Sequence, residues 1–516
     1  MITKFNLSQT KLFLVKTVKQ VEVTRKTYHR DPTINTIHRA SLLVPEIQNT
    51  TTEISFLNHF LLKRQYSNVA CKITAIDTNG KKIKSKLHKI DKPTVYNFQL
   101  SGMVPESVSN YMVEFFSPDN LFIPFPAVMI NHHGKNFINQ VHAFNRVLND
   151  VFEDEEVNSH QVKEASIDLM VNEDTDTFLL FTAGPLPCKD SLEIEVITPN
   201  ETIKQKLDID LPRFGTKKIE FKKTFEQLEN DIRGIVKAKQ PPQFLFYGRM
   251  LAGQIKNDGA FSANHTYYDS STSSEYWDDS SNSQRFYPYF PNLKNTVRLY
   301  PILSPSELQI KLNIFDHDGN EIKEYDIDSL SSPGAKFLEA NVESFISQDS
   351  IDKHTISTFS VTARILSGKM PTRIGHQLVY GNGGLDTSIA VSLFNHNIYN
   401  PPNKKSFKWG QIITGGEYNA YVGIVSDGAE NSNIDHQDAK IKFYDDTGLI
   451  LEESTVIKNR TANVLEFPKI LTSINGYSTN QPKSIWCVVQ GEHYGLNFFT
   501  TTWNKKSNHC SGDHGF

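Results

Sequence analysis

An alternating apolar–polar strand that enters a turn and returns as a second strand occurs four times in this chain. No other feature constrains the fold as strongly. The copies cover residues 72–83, 193–203, 311–322 and 440–450. Asn79-Gly80 and Asp318-Gly319 are turn dipeptides, because positive φ costs Asn, Asp and Gly least, and Pro199-Asn200 serves in the second copy. Each copy therefore reads as a β-hairpin. Anchored at Ile73, Ile194, Leu312 and Ile441, the copies are 121, 118 and 129 residues apart. That spacing is the size of a β-sandwich domain and too long for a solenoid repeat.

A second feature follows each hairpin, at residues 113–146, 242–269, 357–397 and 484–510. Each is an apolar strand, a glycine-bearing bend, and a second strand ending near Asn or His. The joint order predicts an all-β fold of four tandem β-sandwich-like units, arising by internal duplication. The units span residues 1–155, 160–285, 290–400 and 405–516, with residues 1–40 extending the first. The 516 residues exceed a single hydrophobic core, and 33 Phe and 19 Tyr suit pleated surfaces.

Two segments carry helical spacing. Residues 221–237 place Phe225, Leu228, Ile232 and Ile235 on one face, which predicts a helix within the second unit. Residues 334–347 carry a shorter version through Leu338, Val342 and Phe345, at the equivalent place in the third. The Ser-rich, acidic stretch 270–286 reads as a linker or exposed loop.

Bulk charge and motifs narrow the function. The net charge of −4 gives no global basic surface for nucleic acid. The lysines at 81, 82, 84, 86 and 89 read as a solvated strand-and-turn face. No secretory signal and no run of about 20 apolar residues is present, so no membrane insertion is expected. Cys71, Cys188, Cys487 and Cys510 are scattered without a CxxC, which points to a reducing, cytoplasmic compartment. Phosphate-loop, dinucleotide, HExxH, GxSxG and EF-hand signatures are absent.

Histidine carries the suggestive placements. His132 and His133 precede Gly134, and His142 follows on the returning strand, so a hairpin can pair imidazoles. The last ten residues hold His509, Cys510, Asp513 and His514. Both groups offer the nitrogen, sulfur and oxygen donors that a divalent metal such as zinc takes. Asn-His pairs recur at His132, His265, His396 and His509, and aromatics crowd at Tyr267, Tyr268, Tyr276 and Trp277. His265, His396 and these aromatics are the candidate binding residues, since Tyr and Trp make large, stiff contact surfaces. Two functions are expected. The first is a non-catalytic binding or scaffold protein for a protein or glycan-bearing partner. The alternative is a metal-dependent enzyme with a histidine-centred site that activates water or substrate.

Overall fold

The computed structural model describes residues 38–117, 126–147, 164–266, 277–394, 405–427 and 435–516, apart from positions 242, 244, 245, 301, 303, 304, 332–337, 372, 475 and 494. Alternating burial turns each repeat into strands with one face inward. The first unit has eight principal strands: His38–Pro45, Thr51–Leu57, Val69–Asp77, Lys82–Ile90, Val95–Gln99, Val108–Ser117, Met129–His133 and Ile138–His142. They form two antiparallel sheets, ordered first–sixth–third–fourth and fifth–second–seventh–eighth. The second unit runs from Glu164–Val171 to Phe261–His265, the third from Asn282–Pro288 to Ile389–Phe394, and the fourth from Ser406–Thr414 to Cys510–His514. Each repeats both strand orders. A permuted order that recurs four times in succession is the mark of internal duplication.

The four hairpins of the sequence join the third and fourth strands of their units. Gly80 and Gly319 take the positive φ that their turns require, +75° and +81°. The fourth strand is always an edge. In the first unit it is the lysine-rich Lys82–Ile90, largely exposed, so charge there blocks edge-to-edge pairing.

The helix expected over 221–237 is not formed. A single turn covers Phe221–Thr224, and Ile232–Lys239 is the sixth strand of the second unit. Asp231 has φ +65°, which breaks any helix there. Ile232, Gly234, Val236 and Ala238 also fit a period of two, and pairing to strands on both sides decided between the periods. In the third unit the expected helix is Val342–Gln348, preceded by the fifth strand Leu338–Asn341. Both helices lie between fifth and sixth strands. The polar stretch 270–286 also ends in order, because Asn282–Pro288 is the first strand of the third unit and Phe286 and Tyr287 are buried.

The units do not hang as beads on a string. The turn at Gly80 abuts Arg213, whose Nε donates to the Gly80 carbonyl at 2.8 Å. The turn at Gly319 abuts Asn459 in the same way. In both cases a third–fourth hairpin docks on the fourth–fifth turn of the next unit, so units one and two form one pair and units three and four another. The pairs are held by apolar burial and by ions. Phe178, Leu251 and Phe261 of the second unit, and Trp409 and Trp486 of the fourth, share a core cluster with the first unit. Each such side chain contributes roughly 1.5–3 kcal/mol when fully buried. Between the second and third units, Arg298 donates to Asp168 at 2.7 Å, and within the third it donates to Glu339 at 2.6 Å. Among the described residues no helix is long and apolar enough to cross a membrane.

Candidate functional site

The eighth strand is the outer edge of its sheet in every unit, and an edge leaves alternate backbone N–H groups unpaired. Here the eighth strands meet one another. Ile138–His142 packs against Phe261–His265 and Cys510–His514, and Ile389–Phe394 packs against the latter two. The free edge amides are met by side chains instead of a ladder. Gln140 N donates to Ser511 Oγ at 2.7 Å, His142 N to Asp513 Oδ2 at 2.8 Å, and Ala263 N to Asn139 Oδ1 at 2.7 Å. The alternation of Ser511 and Asp513 matches that of residues 140 and 142, as a two-residue strand period demands.

At one end of this junction lies a cavity of about 290 Å³. The first unit contributes His142, and the second contributes Arg249, His265 and Thr266. The third contributes Arg285, Ala390, Val391 and Ser392, and the fourth contributes Lys408, Asn497, Phe498, His514 and Gly515. Among the described residues its wall carries three cationic side chains and no carboxylate.

The histidines of the wall are held by one rule. His142 Nδ1 lies 3.0 Å from Asp513 Oδ2 and 3.1 Å from Oδ1, His265 Nδ1 lies 2.9 Å from the Thr266 carbonyl, and His514 Nδ1 lies 2.8 Å from the Gly515 carbonyl. Each partner is an acceptor, so each Nδ1 carries the donated proton and Nε2 is the remaining ring nitrogen. Burial pushes the His514 imidazole down to about 4 and that of His265 well below its ordinary value; nearby Arg249 adds to the second effect. Both are neutral at physiological pH. Arg249 Nη1 donates to His265 Nε2 at 3.1 Å, and Arg285 Nη1 donates to the Ser392 carbonyl at 2.9 Å. The rings of His265 and His514 each stand 4.7 Å from that of His142.

Asp513 is a clamp. Its oxygens accept from the backbone N–H of His142 and of His514, both at 2.8 Å, besides the His142 ring. Burial opposes its ionisation, and the His142 ring and these donors outweigh burial, so its carboxyl lies below the usual range.

The remaining sequence candidates lie elsewhere. The hairpin register pairs His132 with Asn139, and His142 with Met129. An offset of three residues puts His132 and His142 on opposite faces of the sheet. His132 is buried in the first unit, 3.3 Å from Thr52 Oγ1, and burial lowers it to about 3. His133 lies 3.6 Å from Glu53. His509 Nδ1 accepts from the Leu385 N–H at 2.9 Å, and the buried Cys510 thiol is pushed up by desolvation. Trp277 pairs through its backbone with Pro371. Tyr267, Tyr268, Tyr276 and His396 lie outside the described residues.

The structure thus gathers His142, His265, Asp513 and His514 from lists that the sequence kept separate. The sequence reading passed over Arg249, Arg285 and Lys408. Arg285 carried a faint signal, since it shares strand parity with Ser283 and Tyr287, both inward-facing and buried. No protein-family model and no curated protein sequence matches the chain.

Proposed function

We propose that the protein is a non-catalytic binding protein whose ligand occupies the cavity at the junction of the four units. The observation that carries this reading is the convergence of polar side chains from all four units on one half-open pocket. Ligand sites favour concave junctions between domains, with a few placed polar groups among apolar ones. The cavity has that character, with Phe498 and Val391 beside the cations. Its histidines are locked in one tautomer, and those at 265 and 514 are too weakly basic for proton shuttling near neutral pH. The four-sandwich frame supplies rigidity. A surface for a protein or glycan-bearing partner rests on the aromatic stretch around Tyr267 and Tyr276, and the cavity has the more specific chemistry.

Native mass spectrometry of gently purified protein tests the reading. A small molecule that remains bound to wild type and is lost from Ser392→Phe, which fills the cavity, supports it. Equal retention by both proteins removes the cavity from the claim.

One observation favours a second reading, the metal-dependent one. Ligand atoms of His142, Asp513 and His514 lie within 4.8 Å of one another, and a carboxylate-oriented imidazole is a frequent zinc ligand. Against it, the Asp513 oxygens already hold donors, and three cations share the adjoining wall. One equivalent of zinc in elemental analysis, lost on His514→Ala, would install this reading in place of the first.

A further inference from the structure

We infer that the fourth-strand edge of the first unit docks on the fourth-strand edge of the third unit in a second copy of this chain, so that copies associate head to tail. Duplication gives the molecule four equivalent edges of this kind, and they differ in charge. Lys82–Ile90 carries Lys82, Lys84, Lys86 and Lys89 and no acid. Thr202–Leu211 is balanced, with Lys204 and Lys206 against Asp208 and Asp210. Glu321–Ser331 carries Glu321, Glu324, Asp326 and Asp328 against Lys323. Gly448–Lys458 has Glu452 and Glu453 against Lys458. A sheet edge presents unpaired backbone N–H and C=O groups to any strand that can approach. Four lysines repel a second copy of their own edge and attract the acidic one, so sign selects the partner. This reading is independent of the cavity.

Both edges are open and already in place. Lys82, Lys84 and Lys86 are exposed and enter no ion pair among the described residues. On the acidic side Lys311 meets both Glu324 and Asp326, one cation for two carboxylates, so that edge stays negative. Leu87 on the basic strand is 65% exposed and Ile322 on the acidic strand 37%, which leaves apolar surface for a partner to cover. The turns at Gly80 and Gly319 anchor the two hairpins on neighbouring units, so docking costs little further ordering. The faces fix the direction of pairing. Lys84 and Lys86 lie opposite the buried Ala75 and Ile73, on the core-side face of their sheet. Glu324 and Asp326 lie opposite Asn313 and Lys311, on the face away from the core residues Leu312 and Ile314. Equivalent edges of like-handed sheets keep their core-side faces together when they pair antiparallel. When they pair parallel, the core-side face of one continues the outer face of the other. Parallel pairing therefore runs Lys84 and Lys86 along Glu324 and Asp326, with the two sandwiches on opposite sides of the joined sheet.

Sedimentation velocity of the full-length protein at about 0.01 M and 1 M salt tests the inference, because the Debye length falls from roughly 30 Å to 3 Å between them. A nine-residue edge is a small contact, so weak, concentration-dependent association is expected at low salt and monomer at high salt. Lys84→Glu/Lys86→Glu should lower the association constant about tenfold or more, since two attractions become repulsions. Glu321→Lys/Asp326→Lys should do the same, and it leaves Glu324 to hold Lys311. An equal mixture of the two variants should form dimers, because one keeps the native acidic edge and the other the native basic edge. Melting curves confirm that each variant is folded, and Lys84→Gln/Lys86→Gln, with a smaller loss, replaces a reversal that unfolds the chain. A wild type that stays monomeric at low salt, unchanged association in both reversed variants, or a mixture that stays monomeric overturns the inference. If polyglutamate binds a monomeric wild type and not Lys84→Glu/Lys86→Glu, the basic edge serves a foreign acidic segment and the second copy is ruled out.

Discussion

His142 gives its Nδ1 proton to Asp513, 371 residues further along the chain, at 3.0 Å, and its backbone N–H reaches the same carboxylate at 2.8 Å. The carboxylate also accepts from the neighbouring His514 amide. One side chain therefore closes the edge of the first unit onto the last strand of the fourth and sets the ring that faces the cavity.

Asp513→Ala strands these buried donors. An unsatisfied buried donor costs roughly 1–3 kcal/mol, so the three donors together predict a loss of about 3 kcal/mol or more in urea unfolding. Asp513→Asn keeps one acceptor oxygen and should lose less. Equal stability of Asp513→Ala and wild type would show that water takes the place of the carboxylate.

The contact between the second and third units is tested at Arg298, which is 5% exposed and bridges Asp168 and Glu339. Removing one partner of a buried pair costs roughly 3–5 kcal/mol, whereas replacing both by apolar groups is often near neutral. Asp168→Leu leaves Arg298 with Glu339, so a loss below that range is expected, and the double variant Asp168→Leu/Arg298→Met should recover part of it. A double variant no better than the single one would place the energy outside this pair.

Pairing of units three and four is tested at Gly319. Its φ of +81° strains any other residue, and a Cβ would lie 2.2 Å from the Asn459 carbonyl oxygen. Gly259 has a similar φ of +89° with open space around it. Ala at either site meets the backbone penalty of about 1–2 kcal/mol, and only Gly319→Ala must also move the next unit. A midpoint shift for Gly319→Ala clearly larger than for Gly259→Ala is expected. Equal shifts would mean that the hairpin is not docked.

Acid should unfold the protein through its buried histidines. Burial lowers His59, His132 and His376 to about 3 and His514 to about 4, from 6.5. Below 6.5 the unfolded chain takes up protons that the folded one refuses, so their stabilising contribution is complete above that pH and is lost as pH falls toward 3–4. Each group removes about 2 kcal/mol by pH 5. Melting temperature should be flat from pH 8 to 7 and fall steeply between 6 and 4. A melting temperature unchanged from pH 8 to pH 5 would show that these rings are charged in the folded state.

The hairpins were legible because their signals are local. Residues 311–322 hold strand, turn and return within a dozen positions, and the positive φ of Gly319 follows from its own dipeptide. Residues 221–237 were not legible in the same way. Phe225, Leu228, Ile232 and Ile235 satisfy a helical period, and only the flanking strands Glu164–Val171 and Cys188–Ile197 drew Ile232–Lys239 into a sheet. The histidines of the candidate site were visible singly. Their grouping was not, because His142 and His514 belong to different units and touch only where edge strands meet.

The sequence by itself determined the strand content, the fourfold recurrence and the turns, because alternation and turn chemistry act over a few residues and need no partner. Tertiary structure alone decided which strands became edges, which edges closed on one another, and that Arg249, Arg285 and Lys408 share a wall. Those choices depend on burying the apolar faces of four sandwiches at once. That free energy is spread over hundreds of residues and leaves no mark at the positions it brings together.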